Sequence, residues 1–179
     1  QCFRLYGAEL ISAPIDGNGV KTDELEKLVA EHKPKFVYLI PTFGNPSGAM
    51  LSAERRKAVL EMAVKHNTLI VEDDPYGDLY FGDAPPPSLL NLSATVPGSR
   101  ELLVHCGSLS KVLSPGLRVG WMIAPAELLG KATMCKQFSD AHTSTFAQAT
   151  AAQYLKAGRM PGTLAHVRKV YAERAQAMG

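Results

Sequence analysis

The chain of 179 residues lacks any uninterrupted apolar stretch near the roughly 20 residues that a membrane-crossing helix requires, so no membrane span is expected. Net charge is also scant. A formal +2, carried by scattered Lys and Arg, argues against nucleic acid or an anionic membrane surface as partner. Cysteine is rare: Cys2, Cys106 and Cys135 are odd in number and lack metal-ligand spacing. They are expected to be buried free thiols in a reducing cytoplasm, with neither a disulfide framework nor a metal site. Repeats, low-complexity tracts and a secretory leader pattern are absent as well. The first residue is Gln, and a helical periodicity through Leu164, Val167, Tyr171 and Met178 runs to the last residues. Both ends therefore read as cuts in a longer protein.

What is present is 46% apolar, enough for one sizeable core. "AELISAPID" (8–16) reads as a strand closed by the turn Asp16-Gly17-Asn18-Gly19. Thr22 is placed to cap a helix with Leu25, Leu28 and Val29 facing inward. "KFVYLIP" (35–41) reads as a strand buried on both faces, and Ser52 caps an amphipathic helix carrying Val59, Met62, Ala63 and His66. "NTLIVEDD", "ELLVHCGS" and "RVGWMIAP" supply three more short buried strands, with Trp121 as core packing in the last. The segment "PYGDLYFGDAPPP" is turn-rich, and from Pro125 onward the pattern is helical, with Leu128, Leu129, Ala132 and Cys135 on one face. This alternation predicts an α/β domain with a largely parallel sheet. In such sheets ligands gather beyond the carboxyl ends of the strands, where Asn45, Asp73 and Lys111 fall.

Chemistry concentrates in "HCGSLSKVLSPGLRVGW" (105–121). Lys111 follows a buried strand and lies among Ser108, Ser110 and Arg118. A lysine crowded by another cation and partly desolvated loses its proton more easily, which suits it to condensation with a carbonyl. The two hydroxyls and the guanidinium meanwhile offer donors to a dianion. A Schiff-base lysine beside a phosphate anchor fits pyridoxal 5'-phosphate, which carries both an aldehyde and a phosphate. That cofactor needs a carboxylate at its ring nitrogen, and Asp73 closes an apolar strand where it can serve. Strand alternation turns Glu72 and Asp74 away from that side. Tyr76 and Asn45 can donate to the phenolic oxygen. His105 and His142 are read as satisfied structural histidines, and Arg159, Arg168 and Arg174 as solvated surface charges.

The segments "PTFGNPSG", "VEDDPYGDL" and "GSLSKVLSPGLRVGW", in this order and spacing, resemble the large domain of the class I/II (fold type I) pyridoxal-phosphate aminotransferases over about residues 5–155. The "EDDPY" form and the interval of seven from Lys111 to Arg118 resemble most closely the branch of 2-aminoadipate, kynurenine and aromatic or branched-chain aminotransferases. The resemblance implies a three-layer α/β fold, with residues 1–145 as part of the cofactor-binding domain and 146–179 leading toward a small C-terminal domain. It assigns catalysis to Lys111, Asp73 and Tyr76, the phenolic oxygen to Asn45 and Tyr76, and the phosphate to Ser108, Ser110 and Arg118. It further implies amino-acid and 2-oxo-acid substrates exchanged by a ping-pong route, a homodimer, and a cytoplasmic setting.

Two other enzymatic readings fail on context. Ser108-Leu-Ser-Lys111 matches the S-x-x-K of penicillin-binding proteins, but that motif should open a helix, and Pro115 and Gly116 follow at once. "DGNGVK" lacks the third glycine of a dinucleotide loop. The non-enzyme alternative is the aminotransferase-like domain of a bacterial GntR/MocR-type transcriptional regulator, which an N-terminal DNA-binding segment would mark.

Overall fold

Short apolar runs and amphipathic stretches resolve into a sheet with helices against it in a computed structural model that describes residues 2–178. The side chain of Cys2, one of the three expected thiols, lies outside the described residues. In chain order the elements are α1 (Cys2–Leu5), β1 (Ile15–Asp16), β2 (Gly19–Val20), α2 (Thr22–His32), β3 (Phe36–Leu39), α3 (Ala53–His66) and β4 (Leu69–Asp73). There follow α4 (Leu89–Leu92), β5 (Leu103–Ser108), β6 (Gly120–Ile123), α5 (Ala126–Asp140), α6 (Thr145–Lys156) and α7 (Met160–Met178). The main sheet has the order β3-β4-β5-β6. Its first three strands are parallel, whereas β6 runs antiparallel to β5. The segment between β5 and β6 holds only turns and a short 3-10 helix, too little for the helical crossover that a parallel return needs. Among the described residues no helix is long and apolar enough to cross a membrane.

The period of two in β4 separates two environments. Ile70 and Glu72 point into the core beneath α3, while Leu69, Val71 and Asp73 look to the opposite, half-buried face. Val29 of α2, Val59, Leu60 and Ala63 of α3, and Ile70 and Leu103 of the sheet make the main core. Burial of each large apolar side chain there contributes about 1.5–3 kcal/mol. Ser52 caps α3 as expected, its hydroxyl accepting from the Arg55 N–H at 3.3 Å.

A second cluster joins Leu109 and Val112 to Ala151 of α6 and to Met160 and Leu164 of α7. The two C-terminal helices thus seat against the turn that carries Lys111. Arg168 takes part, contrary to the expectation of a solvated charge: its Nε donates to the Asp78 carbonyl at 2.7 Å, and its guanidinium lies 3.8 Å from the Tyr80 ring centre. Arg159 and Arg174 are exposed, as expected.

Several sequence expectations need correction. Residues 8–14 form no strand: only Ile15 and Asp16 enter a ladder, with Val20 and Gly19, and the Pro14 carbonyl takes a single bond from the Lys21 N–H at 3.0 Å. Thr22 is the first residue of α2 and not its cap; Lys21 occupies the cap without a side-chain bond, and the helix start relies on Asp23 and Glu24 in its first turn. β3 is not buried on both faces, because it borders the described sheet and Tyr38 stays 42% exposed. β6 is the other border, and Trp121 is 46% exposed there. Its indole lies over Gly107, where an added Cβ would stand 2.3 Å from the ring, so a larger residue would force the indole to move. Cys106 and Cys135 are free thiols, but Cys106 is only partly buried and Cys135 is exposed.

The β1–β2 hairpin is held to α3 by one ion pair. Arg55 meets both Asp16 carboxylate oxygens at 2.7 Å and donates to the Gly19 and Val20 carbonyls at 3.2 Å. The Arg55 guanidinium, helped by the Asn18 N–H, holds the Asp16 carboxyl down to about 2 from an ordinary 3.8. A depressed folded value stabilises above the unfolded value and loses that contribution as pH falls through about 2. Asp16→Asn is therefore expected to flatten the dependence of the urea midpoint on pH between 3.8 and about 2, relative to the unsubstituted protein. An unchanged acid limb would show that the pair does not anchor the hairpin.

Candidate active site

Strands β3, β4 and β5 run in the same direction and therefore deliver their carboxyl ends, and the loops that follow, to one side of the sheet. Asp73 closes β4 and is paired in register with Cys106 of β5, so Ser108, two residues further along β5, points to the same face. Sheet geometry separates the Asp73 and Ser108 Cα atoms by about 8 Å. Lys111 follows in a tight turn. The Leu113 and Ser114 N–H groups both donate to the Leu109 carbonyl, at 2.9 and 3.0 Å, and the Leu109 N–H donates to Val119 at 3.0 Å. The Ser108 hydroxyl accepts from the Ser110 N–H at 3.0 Å. Leu109 and Val112 are buried against α6, which leaves Lys111 exposed at the apex. Sequence dictates this locally: apolar residues at 109, 112 and 113 anchor the turn, and polar ones at 110, 111 and 114 face out. The turn is no helix start, which removes the S-x-x-K reading.

Lys111 is one of several lysines, with Lys21, Lys33, Lys35, Lys156 and Lys169, that pair with no carboxylate among the described residues. Lys27, Lys57, Lys65, Lys131 and Lys136 each hold a carboxylate. Among the described residues no carboxylate is paired with Lys111 or Arg118; the Arg118 guanidinium donates only to the Pro115 carbonyl, at 3.3 Å. Arg118 adopts a left-handed backbone, φ 53°, at the end of the turn. Asp73 likewise has no cationic partner among the described residues and accepts from the Tyr38 hydroxyl at 2.5 Å.

Asn45 is exposed in the loop after β3, and the Asn45–Pro46 bond is cis. That loop is folded on itself by Gly44 N–H to the Ala49 carbonyl at 3.0 Å and Ser47 hydroxyl to the Gly44 carbonyl at 3.2 Å. Tyr76 lines a cavity of about 330 Å³ with Phe43 and Met50, which belong to the Asn45 loop, and with Leu79, Tyr80 and Phe81. Tyr76 and the Asn45 loop are thereby neighbours. A smaller cavity of about 120 Å³ lies between Asp74, Gly77, His105, Ser108, Val112 and Trp121. Neither cavity is lined by Asp73, Lys111, Asn45 or Arg118. His142 is exposed, its Nδ1 at 2.9 Å from the Thr143 carbonyl.

Beneath the strand ends, on the face opposite Asp73, lies a buried polar layer. Glu72 is fully buried and accepts from the Leu89 N–H at 2.7 Å, the Leu90 N–H at 3.1 Å and His105 Nδ1 at 2.7 Å. The bond to Glu72 raises the His105 pKa against the opposing effect of burial. Asp74, whose carboxyl is pushed up by burial, accepts from the Gly77 N–H at 3.0 Å. Arg56, also fully buried, donates to the Leu51, Pro41 and Pro87 carbonyls and to the Thr42 hydroxyl at 2.9–3.3 Å. Burial lowers its pKa. Arg56 fixes the start of the Asn45 loop, and Glu72 fixes α4 and β5 to β4. Strand alternation correctly turned Glu72 away from Asp73, and His105 is the satisfied histidine expected. Arg56 and Tyr38 escaped the sequence reading. The available signal for Arg56 was its place on the stripe with Val59, Leu60 and Ala63; for Tyr38, it was a hydroxyl inside an apolar strand next to Asp73's.

Comparison with known proteins adds to this geometry. A family model described as Aminotransferase class I and II matches residues 1–178. A 2-aminoadipate transaminase of Thermus thermophilus is 42% identical over 99% of this chain, a stretch that makes up 44% of that relative. The solved structure of an alpha-aminoadipate aminotransferase from Thermus thermophilus, complexed with N-(5'-phosphopyridoxyl)-L-leucine, superposes with a TM-score of 0.92 at 40% identity. It aligns with 98% of this chain and 44% of its own. An HTH-type transcriptional regulator of Bacillus subtilis is 33% identical over 98% of this chain and 35% of its own length. The chain thus spans less than half the length of these relatives.

Proposed function

Since the chain belongs to the class I and II aminotransferases, we propose that the whole protein moves an amino group between an amino acid and a 2-oxo acid with pyridoxal 5'-phosphate as cofactor. The donors proposed are 2-aminoadipate, kynurenine and aromatic or branched-chain amino acids. One observation carries the reading: Asp73 and Ser108 share a face at the ends of adjacent parallel strands, and Lys111 follows Ser108 in the next turn. The donor chemistry fits the cofactor. Lys111 and Arg118, with no carboxylate partner among the described residues, suit a phosphate dianion and a carbonyl. Asp73, with no cation, suits a protonated ring nitrogen.

When bound, the cofactor supplies a carbonyl that condenses with amines and a ring that takes up negative charge from the substrate's α-carbon. In this proposal Lys111 Nζ would hold the cofactor's carbonyl carbon and would serve as the base that takes the substrate's α-proton and the acid that returns it on the cofactor side. Asp73 accepts the ring N–H and keeps that nitrogen charged. Asn45 and Tyr76 donate to the phenolic oxygen, while Ser108, Ser110 and Arg118 hold the phosphate. Residues 1–145 belong to the cofactor-binding domain, and 146–179 lead toward a smaller one. A cytoplasmic homodimer completes the reading.

The similarity to an HTH-type regulator favours a second reading, a cofactor-binding effector domain. One screen separates the two. Full-length protein loaded with pyridoxal 5'-phosphate is mixed with single amino acids, and its visible band is followed. The enzyme reading expects 2-aminoadipate or an aromatic or branched-chain amino acid to discharge the band and release the matching 2-oxo acid. A band that no amino acid discharges would favour the regulator.

A further inference from the structure

We propose that Tyr38 is a positioning residue for Asp73, setting which carboxylate oxygen meets the cofactor ring and keeping the shared proton on the ring nitrogen. The inference rests on the cofactor reading above. Its observation is direct: the Tyr38 hydroxyl donates to Asp73 Oδ2 at 2.5 Å.

The fold builds this contact. Tyr38 pairs in register with Val71, so Asp73 lies two residues further along the neighbouring strand and on the same face. Sheet geometry puts the two Cα atoms about 8 Å apart, a diagonal that aromatic and long side chains span and short hydroxyl side chains do not. The Tyr38 ring is itself held. Phe3 of α1 packs edge-on against it with centroids 5.9 Å apart, and against Phe36 at 5.2 Å.

The choice of a phenol has a chemical consequence. A lysine or arginine at position 38 would neutralise Asp73 and compete with a cationic ring nitrogen for it. A neutral hydroxyl orients the carboxylate and leaves its charge in place. It occupies Oδ2, which leaves Oδ1 to accept from the ring. With Oδ1 free and the carboxylate still charged, Asp73 keeps an anion aimed at the ring nitrogen and its proton. On the β5 side the register partner is Cys106, a weak donor. Tyr38 therefore does for Asp73 what neither adjacent charge nor thiol can.

The experiment uses full-length holoprotein loaded with cofactor labelled with ¹⁵N in its ring. Tyr38→Phe keeps the ring contacts and removes the hydroxyl. The ring-nitrogen resonance is expected to move toward the neutral position, and the amine form of the cofactor to bind roughly tenfold more weakly. Incorporation of 3-fluorotyrosine at position 38, a stronger donor, is expected to move the resonance the opposite way. Opposed shifts support the inference, because a purely structural hydroxyl would not grade the ring's protonation. If Asp73→Asn moves the resonance while both changes at Tyr38 leave it in place, the inference fails and the cofactor reading survives. If Asp73→Asn leaves it unmoved, the assignment of Asp73 fails and takes the inference with it.

Discussion

Lys111→Ala in the full-length protein is expected to abolish the visible band of bound cofactor and to lower turnover by about 10⁴-fold or more. Two functions vanish together, since the same Nζ is proposed to anchor the cofactor and to carry the α-proton, and a positioned acid–base group alone is worth about 10²–10⁴. The effect cannot be passed off as misfolding. Lys111 is exposed at its apex, and the turn is held by buried Leu109 and Val112 and by backbone bonds to the Leu109 carbonyl. The thermal midpoint of the variant should accordingly stay near that of the parent. Lys111→Arg is the sharper control. It keeps a positive charge at this position but cannot release a proton, so it should be as inactive as alanine while retaining more phosphate affinity. A wild-type spectrum in either variant would remove Lys111 from its role and, with it, the reading of the turn.

Reading the chain in one dimension served best where local chemistry decides the outcome. The turn at Lys111, the cap at Ser52 and the change of faces between Glu72 and Asp73 follow from patterns a few residues long. It served poorly where the outcome depends on partners distant in the chain. β3 and β6 read as buried because their residues are apolar, yet burial comes from what lies alongside, and both strands border the described sheet. Residues 8–14 are apolar enough to read as a strand, but beyond one bond from the Lys21 N–H to the Pro14 carbonyl they join no ladder among the described residues. The direction of β6 was legible but not drawn, since residues 109–117 between the two strands are too few for the helical crossover of a parallel return. At the site, side chains that meet a ligand carry recognisable identities, whereas those that hold them do not. Arg56 is an ordinary helical arginine until Pro41, Leu51 and Pro87 turn their carbonyls toward it. Tyr38 gains its meaning only from a register that sets Val71 beside it and Asp73 beyond.

Glu72 offers the largest expected change in stability. It is fully buried and satisfies two helix-start N–H groups and one imidazole at once. Glu72→Ala leaves all three donors without an acceptor, and losing one partner of a buried pair costs about 3–5 kcal/mol. Against a total of about 5–15 kcal/mol for a domain, that is a large share, readable as a lower urea midpoint. Glu72→Gln keeps an oxygen for the Leu89 N–H, removes the charge beside His105, and sets an NH2 against the Leu90 N–H. The folded His105 pKa lies above the ordinary 6.5, first because of the Glu72 bond and further through Asp74, with burial and Arg100 opposing. A raised folded value stabilises fully below 6.5 and loses that contribution as pH rises through the folded value. Asp74, raised by burial, has the same sign, its contribution being lost as pH rises from 3.8 through its folded value. The parent protein should therefore lose stability above neutrality, and Glu72→Gln and His105→Asn should each lose much of that slope. An alkaline slope unchanged in His105→Asn would exclude the pair as its source. Because Glu72 faces away from Asp73, its loss should weaken the fold while leaving cofactor colour intact; Tyr38→Phe, on the other face, should perturb the cofactor and spare the fold.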